Sequence, residues 1–594
     1  MARHRSTLLR IVDPFGLVPD AVEMLPSPGQ VLDYVGHMAS GRRRRVAAER
    51  DHCHVELRDL TDAELDELAE LIEPRLEALD GVKWAAVHVP THRVVVAADG
   101  GVDVDPAAVV RILEAGEREL GIEGRSFPSG HADHPADLDP VIRDLLTLGA
   151  DMVGASIGWM TQLVRPRPPA FELDVSALVS VTEGTGPVRA VVERRIGEPA
   201  ADVVLGVANA LAQGLTSGPL GPMVDLVQRS LDLRMIASRR ETWHDQEDLL
   251  FAVRPRRDEV VFRPRPRPRP MPEGPIEIYA DRAWLVSLGA FGVVLATSRR
   301  LEQAASVLQA GVPKSARIGR SAYIAELGRL LAVRGIVVLD PERLVHFDRL
   351  DRLIVGRELV TGPESTWYVE ALLRSARRAG VKVLTDAVEG CPDELGSIGS
   401  RTVLEAVRHE QRTGHTVGLI LDHVSPALAA ADVGIGVRGG EVAPWGAHLM
   451  VPELVDTLLV LDAIGEAREV ARESIGLAMI GSVAGALTSL GTAFPAGRFG
   501  PNFPILAPVN VAAALSVGNG MRHARLVAQH PRLPRRDSTA WHALEVGEVL
   551  DRLATGPPGL AADVAEGRRP EPVHVAPLPV RFMQTVGEEL ANPL

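Results

Sequence analysis

Cysteine, lysine and aromatic residues are all scarce in this chain of 594 residues. The two cysteines, Cys53 and Cys391, are too few for a disulfide framework and do not form a CxxC pair. Lysine occurs only at Lys83, Lys314 and Lys382, and aromatic residues make up 4% of the sequence. The formal net charge is −14, whereas nucleic-acid binding needs concentrated positive charge. The composition therefore excludes a disulfide-stabilised scaffold and argues against a nucleic-acid partner.

Long runs without charge occur near the end of the chain. Residues 474–497 and 499–521 contain no charged residue and are separated only by Arg498, and arginines cluster outside both ends. A membrane-spanning helix needs about 20 mostly apolar residues, and flanking arginines favour the cytosolic side. The pattern predicts a transmembrane helical hairpin over 474–521. Two buried helices of a soluble protein are the alternative.

Weaker apolar signals and a linker come earlier in the chain. The region 141–262 is apolar and helical in pattern and contains candidate membrane segments, with buried or interfacial helices as the alternative. The Arg/Pro stretch at 263–275 lacks donors for a sheet and dihedral freedom for a helix, so an extended linker is predicted. An N-terminal segment, 1–51, and a C-terminal tail, 530–594, complete a chain that is too long for one domain.

Residues 52–128 have the pattern strand, helix, strand, strand, helix, strand, which predicts a ferredoxin-like domain. This order resembles the heavy-metal-associated domains at the front of many metal pumps, in which a CxxC pair binds soft metals. The corresponding loop here has no cysteine. His52, Cys53 and His54 offer suitable ligand types, but adjacent residues of a strand point to opposite faces. We therefore predict no metal site in this domain.

The region 330–465 alternates short β-rich runs with helical stretches. The β-rich runs lie at 336–339, 352–355, 381–384 and 417–421. This alternation predicts a parallel sheet covered on both faces. Two motifs stand out in the region: RRAGVKVLTD at 377–386 and PALAAADVGIGV at 426–437.

These motifs resemble those of the P-type cation-transporting ATPases, in which GDGxNDxPAL is followed by ADVGIA and an earlier stretch ends in TGD. The resemblance is strongest to the diverged N-terminal half of the very long actinobacterial, mycobacterial-type pumps. It implies a multidomain α/β fold plus membrane helices. A truncated, haloacid-dehalogenase-like (doubly wound) phosphorylation-type domain would occupy 330–465, and 282–322 would form membrane helices that resemble pump helices three and four. The protein would be a multi-pass protein of the cell membrane with cytosolic soluble domains.

The resemblance also shows which functional positions are altered. The phosphorylated aspartate of the family corresponds to Gly356, which has no nucleophile. The magnesium-binding carboxylates of the hinge correspond to Ile420 and Val424, and only a gap brings Asp422 near the first of them. The remaining hinge and TGD-like positions are Asp432, Gly434, Thr385 and Asp386. The resemblance therefore implies that no catalytic set is intact.

The ion path implied by the resemblance is degenerate as well. Where many family members carry PEGL in the fourth membrane helix, this chain has PKSA, which begins with Pro313 and Lys314. A lysine opposes the binding of a cation because like charges repel. Asn510 matches an asparagine of the sixth helix, although an amide that bonds to a neighbouring helix is the alternative.

Two functions remain open at this stage. The favoured one is a degenerate pump-like membrane protein that acts as a non-catalytic accessory or regulatory module and needs no cofactor. The rival is an active cation-transporting ATPase that uses displaced residues with Mg²⁺ and ATP. The final residues, FMQTVGEELANPL, resemble the segment that leads into the first core membrane helix of a pump. This likeness implies association with a catalytic P-type ATPase in the same lipid bilayer, and a truncated, unstable product is the alternative.

We predict that a cysteine introduced by Arg498→Cys reacts only from the outer side of the membrane. Arg498 separates the two charge-free runs, so the hairpin places it opposite the arginine-flanked ends. The measurement is labelling by an impermeant maleimide in intact cells and in inverted vesicles. Arg525→Cys is the control and should react only from the cytosolic side. Cytosolic labelling of position 498 would contradict the hairpin.

Overall fold

The structure of the chain, a computed structural model, describes helices and strands between residues 44 and 529. The described residues are 44–49, 51–98, 104–128, 132–163, 201, 203–208, 220–255, 266–299, 314–361, 365–386, 394–440, 442–490 and 503–529, with the single positions 26, 30 and 34. The predicted tail 530–594 and nearly all of the predicted segment 1–51 therefore lie outside the described residues.

A four-stranded antiparallel sheet forms the first part of the structure. Its strands are β1 (Val46–Glu49), β2 (His52–Glu56), β3 (Val82–His88) and β4 (Arg93–Ala98), in the spatial order β1-β2-β4-β3. Helices α1 (Asp62–Glu77) and α2 (Pro106–Glu119) cover one face of this sheet. The capping box of Thr61 and Glu64 begins α1, as the sequence pattern predicts.

The strand expected after the second helix does not form in the described residues 120–128. Its place beside β2 is taken by β1, which precedes the predicted domain boundary and pairs with β2 at Ala48 and Cys53. A hairpin between neighbouring segments closes a short loop and loses little chain entropy, so the local strand occupies the edge. The prediction of a final strand is wrong, and the ferredoxin-like assignment stays a prediction.

A seven-stranded, mostly parallel sheet forms the second α/β part. Its strands are β5 (Val337–Val338), β6 (Arg352–Val355), β7 (Lys382–Thr385), β8 (Gly396–Ser397), β9 (Val417–Leu421), β10 (Val433–Val437) and β11 (Leu449–Val451). Their order is β5-β11-β10-β9-β6-β7-β8, and among these strands only β5 is antiparallel to its neighbour. The short helices of this part are α7 (Arg357–Val360), α8 (Ser365–Ala379), α9 (Val403–Arg412) and α10 (Pro426–Ala430). The strands predicted at 352–355 and 417–421 are confirmed.

Long helices make up most of the remaining structure. They are α3 (Asp139–Leu163), α4 (Leu220–Leu250), α5 (Pro275–Ser298), α6 (Lys314–Val333), α11 (Asp456–Leu490) and α12 (Phe503–Gln529). Helices α6 and α12 approach so closely that a Cβ atom on Gly520 would meet the backbone oxygen of Gly319. Small residues allow such a backbone contact between helices. The side chains of Ser474 and Ser516 are fully buried beside it.

Two described helices are long and apolar enough to cross a membrane, over Pro275–Thr297 and Asp456–Thr488. The arms of the predicted hairpin fall on α11 and α12, while its turn with Arg498 lies outside the described residues. Helix α11 begins at Asp456, well before the predicted arm, because backbone hydrogen bonds continue a helix through charged residues in water. Multiple crossings remain a prediction.

The Arg/Pro linker lies against the parallel sheet. The guanidinium of Arg267 donates from Nε to Asp432 Oδ1 at 2.9 Å and from its terminal nitrogen to the carbonyl of His415 at 2.6 Å. Asp432 is 2% exposed and also accepts from the backbone N–H of Val417 at 2.8 Å. A buried carboxylate needs such partners to offset its desolvation, so one ion pair fixes the linker to the sheet.

We expect Arg267→Ala to lower the free energy of unfolding by about 3 kcal/mol, because Asp432 would stay buried without its cation. Thermal or denaturant unfolding of the full chain in detergent measures the change. The matched control is Arg269→Ala, since within the described residues the side chain of Arg269 makes only a long, exposed hydrogen bond of 3.5 Å to the carbonyl of Arg412. Similar losses for both variants would show that the Arg267 ion pair does not hold the linker.

Candidate degenerate phosphorylation site

The phosphorylation-type positions meet at one edge of the parallel sheet. Gly356 follows β6, Asp386 follows β7 and Asp422 follows β9. These three strands are adjacent and parallel, with β6 between the other two. The carboxyl ends of adjacent parallel strands lie at the same edge of a sheet, where open α/β sheets bind their ligands. The structure therefore brings together the positions that sequence comparison assigned to the site.

A larger residue at position 356 would have to displace a neighbouring side chain. Its N–H donates to the carbonyl of Ile420 at 3.0 Å, which holds the backbone beside β9. A Cβ atom on Gly356 would lie 2.7 Å from Cδ2 of Leu421, closer than real Cβ contacts allow. Leu421 is 1% exposed and belongs to an apolar cluster. A methyl group of Leu421 thus lies where the Cβ atom of a larger residue at position 356 would need space.

The hinge positions next to Gly356 are apolar or exposed. Ile420 is fully buried in one apolar cluster, and Val424 packs against another. Asp422 and His423 bond to each other, with 2.9 Å between Oδ1 and Nδ1. Magnesium prefers hard oxygen ligands, which Ile420 and Val424 do not supply. The residues at these two positions therefore do not fit a magnesium ion.

The TGD-like residues lie on the other side of β6. The hydroxyl of Thr385 donates to the carbonyl of Val355 at 3.0 Å, so it ties β7 to β6. Asp386 has a buried carboxylate oxygen that finds no hydrogen-bond partner in the described part of the chain. Across the same described ranges, no three His, Cys, Asp or Glu side chains are grouped to hold a metal ion.

Two hinge-motif residues serve other contacts. Asp432 precedes β10 and thus lies at the amino edge of the sheet, opposite Gly356, where it binds Arg267. Gly434 donates its N–H to Nδ1 of His448 at 2.7 Å. Burial lowers the pKa of His448 to about 3, which keeps this nitrogen available as an acceptor. These two residues of the motif therefore stabilise the packing of the sheet.

The ion-path position Lys314 has a carboxylate partner. Its Nζ lies 2.9 Å from Oδ1 of Asp225, so α6 and α4 are joined by an ion pair. Asn510 is 7% exposed on α12, and Pro313 lies outside the described residues. Sequence reasoning missed Asp225, although this aspartate ends the charge-free run that begins at residue 203. The positive charge at this position is thus balanced within the protein.

The sequence is similar to curated cation-transporting ATPases of mycobacteria. It is 27% identical over 685 residues to the "Probable cation-transporting ATPase I" of Mycobacterium tuberculosis, a match that covers 89% of this chain and 42% of that protein. The resemblance to P-type cation-transporting ATPases is confirmed. The Mycobacterium leprae protein of the same name is 25% identical over 632 residues, with 82% of this chain and 39% of that protein covered. The P-type ATPase-like chain thus spans less than half the length of these relatives.

Shorter and more distant similarities concern metal pumps. A zinc-exporting P-type ATPase of Mycobacterium marinum is 35% identical over 130 residues, which cover 20% of this chain and 17% of that protein. A crystal structure of a zinc-transporting PIB-type ATPase in an E2.Pi state is 13% identical with a TM-score of 0.35, and the alignment covers 64% of this chain and 100% of that one. No protein-family model matches the chain.

We expect Gly356→Asp to lower the free energy of unfolding by about 1–3 kcal/mol, because the new side chain overpacks the site against Leu421. The same change in a Leu421→Ala background should cost less, since truncation of Leu421 provides the missing space. A double-mutant cycle of thermal unfolding measures this coupling. Additive effects would show that Leu421 does not fill the space beside position 356.

Proposed function

We propose that this P-type ATPase-like chain is a non-catalytic accessory or regulatory module of a cation pump. The observation that carries the proposal is a glycine at position 356 with Leu421 packed where its Cβ atom would lie. Phosphoryl transfer through an aspartyl intermediate needs a carboxylate beside a magnesium ion. Here the carboxylate is replaced by a glycine, and the adjacent space is filled by a buried leucine.

The neighbouring residues support the loss of catalysis. A pump that merely lacked its nucleophile would keep the oxygen ligands around it. Ile420 instead packs in the apolar core with Val355 and Val433, and so cannot bind a cation. Replacement by well-packed apolar residues stabilises a fold that no longer needs a strained or polar site.

The ion pair of Lys314 and Asp225 supports the loss of transport. A cation that entered this part of α6 would meet the ammonium group of Lys314, 2.9 Å from its carboxylate partner. Because the carboxylate of Asp225 already binds this ammonium group, a transported cation would have to displace Lys314 to reach it. The pair therefore opposes occupancy of this position by a transported ion.

We further propose that the module lies in the lipid bilayer beside a catalytic P-type ATPase. The exposed apolar side chains of α5, such as Leu285 at 69% and Val286 at 73%, suit contact with lipid. The relatives are named cation-transporting ATPases, and this chain corresponds to 42% of the length of one of them. A catalytic P-type ATPase would supply the phosphorylation chemistry that the module lacks.

We predict no acid-stable phosphoenzyme and no cation-stimulated ATP hydrolysis by the purified full chain. Labelled ATP with a panel of monovalent and divalent cations provides the measurement. The variants Asp386→Asn and Asp422→Asn remove the carboxylates that end the neighbouring strands and should leave the background unchanged. If the chain is phosphorylated and either variant abolishes this phosphorylation, the rival function is correct. The chain would then be an active pump that uses displaced residues.

We also predict that affinity purification of the tagged chain from native membranes recovers a full-length P-type ATPase in stoichiometric amount. An untagged strain and a tagged, unrelated membrane protein are the controls. Recovery of the chain alone, or its rapid degradation, would contradict the accessory role even if the chain is catalytically inactive.

A further inference from the structure

A second polar cluster lies far from the phosphorylation-type site, on the N-terminal sheet. Side chains alternate along β2, so Cys53 enters the core beneath α1 and α2 while His52 and His54 point to the opposite face. His88 of β3 lies on that face too, since its ring contacts Phe251 and Trp445. The face that a solitary antiparallel sheet would expose to water therefore carries three histidines.

This face is buried against other parts of the chain. The ring of His54 contacts Trp243 of α4 at 5.8 Å between centroids and His134 at 4.9 Å. His88 is 0% exposed, His54 1%, His134 7% and His52 8%. Four histidines from two strands and one loop are thus buried against α4 and the segment that follows it.

Each of the four imidazoles has one buried nitrogen without a hydrogen-bond partner in the described residues. These atoms are Nδ1 of His52, Nδ1 of His54, Nε2 of His88 and Nε2 of His134. The other nitrogen of His134 accepts from the N–H of Ala136 at 3.2 Å. A neutral His134 therefore carries its proton on the unpartnered nitrogen. Burial of such groups costs free energy, and protonation would add a desolvated charge.

The charges around the histidines do not offset several protonations. Glu247 of α4 faces His54, with 2.5 Å from Oε1 to Nε2, and the same oxygen accepts from the indole N–H of Trp243 at 3.0 Å. Asp248 lies 3.7 Å from Nδ1 of His52. The remaining charged or titratable neighbours are Asp51 near His52, His92 near His88, and Arg93 and Arg239 near His134. The buried carboxylate of Glu247 faces His52 and His54, whereas the charged groups near His134 are the cations Arg93 and Arg239.

The pKa directions agree with this geometry. Burial lowers the pKa of His88 to about 3 and that of His134 well below 6.5. Burial also lowers the pKa of His52, although Glu247 opposes the shift. These three imidazoles are therefore neutral at pH 7 while the sheet is docked. Once exposed to water they would return to their ordinary pKa of about 6.5.

We propose that docking of the N-terminal sheet onto α4 is proton-controlled and weakens in acid. Because the undocked state binds more protons than the docked state below about pH 6.5, docking is fully stable above that pH and weakens as acid is added. Each histidine weakens docking about tenfold per pH unit between its ordinary and its depressed pKa. The pKa values of His88 and His134 are depressed far enough to make the release steep.

Release need not unfold the N-terminal part. Its other face has a separate apolar core with α1 and α2, which contains Val55, Leu68 and Leu113 and no residue of α4. Docking and the internal core are therefore distinct interactions. Docking at this interface would respond to pH whether or not the chain hydrolyses ATP.

Spin labels on the full chain provide the test. Labels at Glu67→Cys on α1 and Leu404→Cys on α9, in a Cys53→Ala, Cys391→Ser background, report the distance across the interface by pulsed electron resonance between pH 8 and pH 4.5. We expect one narrow distance at pH 8 and a growing second population in acid. The logarithm of the population ratio should change with pH with a slope greater than one. An unchanged distance, or a slope of one or less, would overturn the proposal.

Variants and a second label pair separate release from other effects of acid. His88→Gln and His134→Gln should each reduce the slope by about one, whatever their effect on its midpoint, whereas the exposed control His423→Gln should leave it unchanged. A slope that neither histidine variant alters would overturn the proposal. Labels at Glu67→Cys and Arg118→Cys, both on the N-terminal helices, should keep their distance. If the distance between these two labels also changes in acid, the N-terminal part is unfolding and not merely undocking.

Discussion

Burial of both faces of the seven-stranded sheet is the constraint on which the other features depend. Alternate side chains of β6 and β9 enter two apolar clusters: Leu353, Val355 and Ile420 on one face, and Ile354, Leu419 and Leu421 on the other. The second cluster continues through Trp445 and Trp243 to Trp84 of the N-terminal sheet. The leucine that fills the space beside Gly356 and the surface that buries the histidines thus belong to one packed core.

The sequence was a good guide where structure follows from local pattern. The strands at 352–355 and 417–421 were predictable because a parallel strand buried on both faces is a nearly continuous apolar run. The capping box at Thr61 marked the start of α1 for the same local reason. The order of strands was not predictable, because the sequence pattern of β5 and β11 does not show which strands they pair with. For the same reason, the sequence did not show that β1 pairs with β2, and β1 lay outside the predicted domain.

The candidate site was only half predictable, because alignment identifies positions and not their surroundings. It located Gly356 and Lys314, and it could not locate the side chains that contact them. Lys314 and Asp225 are 89 residues apart in sequence, and Arg267 and Asp432 are 165 apart. The histidine cluster was missed because His52 and His54 were weighed with Cys53 as neighbours in sequence, whereas their partners come from β3, α4 and a loop.

The contact of Gly319 with Gly520 has a mechanical consequence. Where two helices touch through their backbones, rotation of either helix about its axis drives a neighbouring side chain into the other backbone. Ser474 closes the same space from α11, a helix that continues from the end of the parallel sheet into an apolar segment. The close approach therefore resists rotation of these three helices relative to one another.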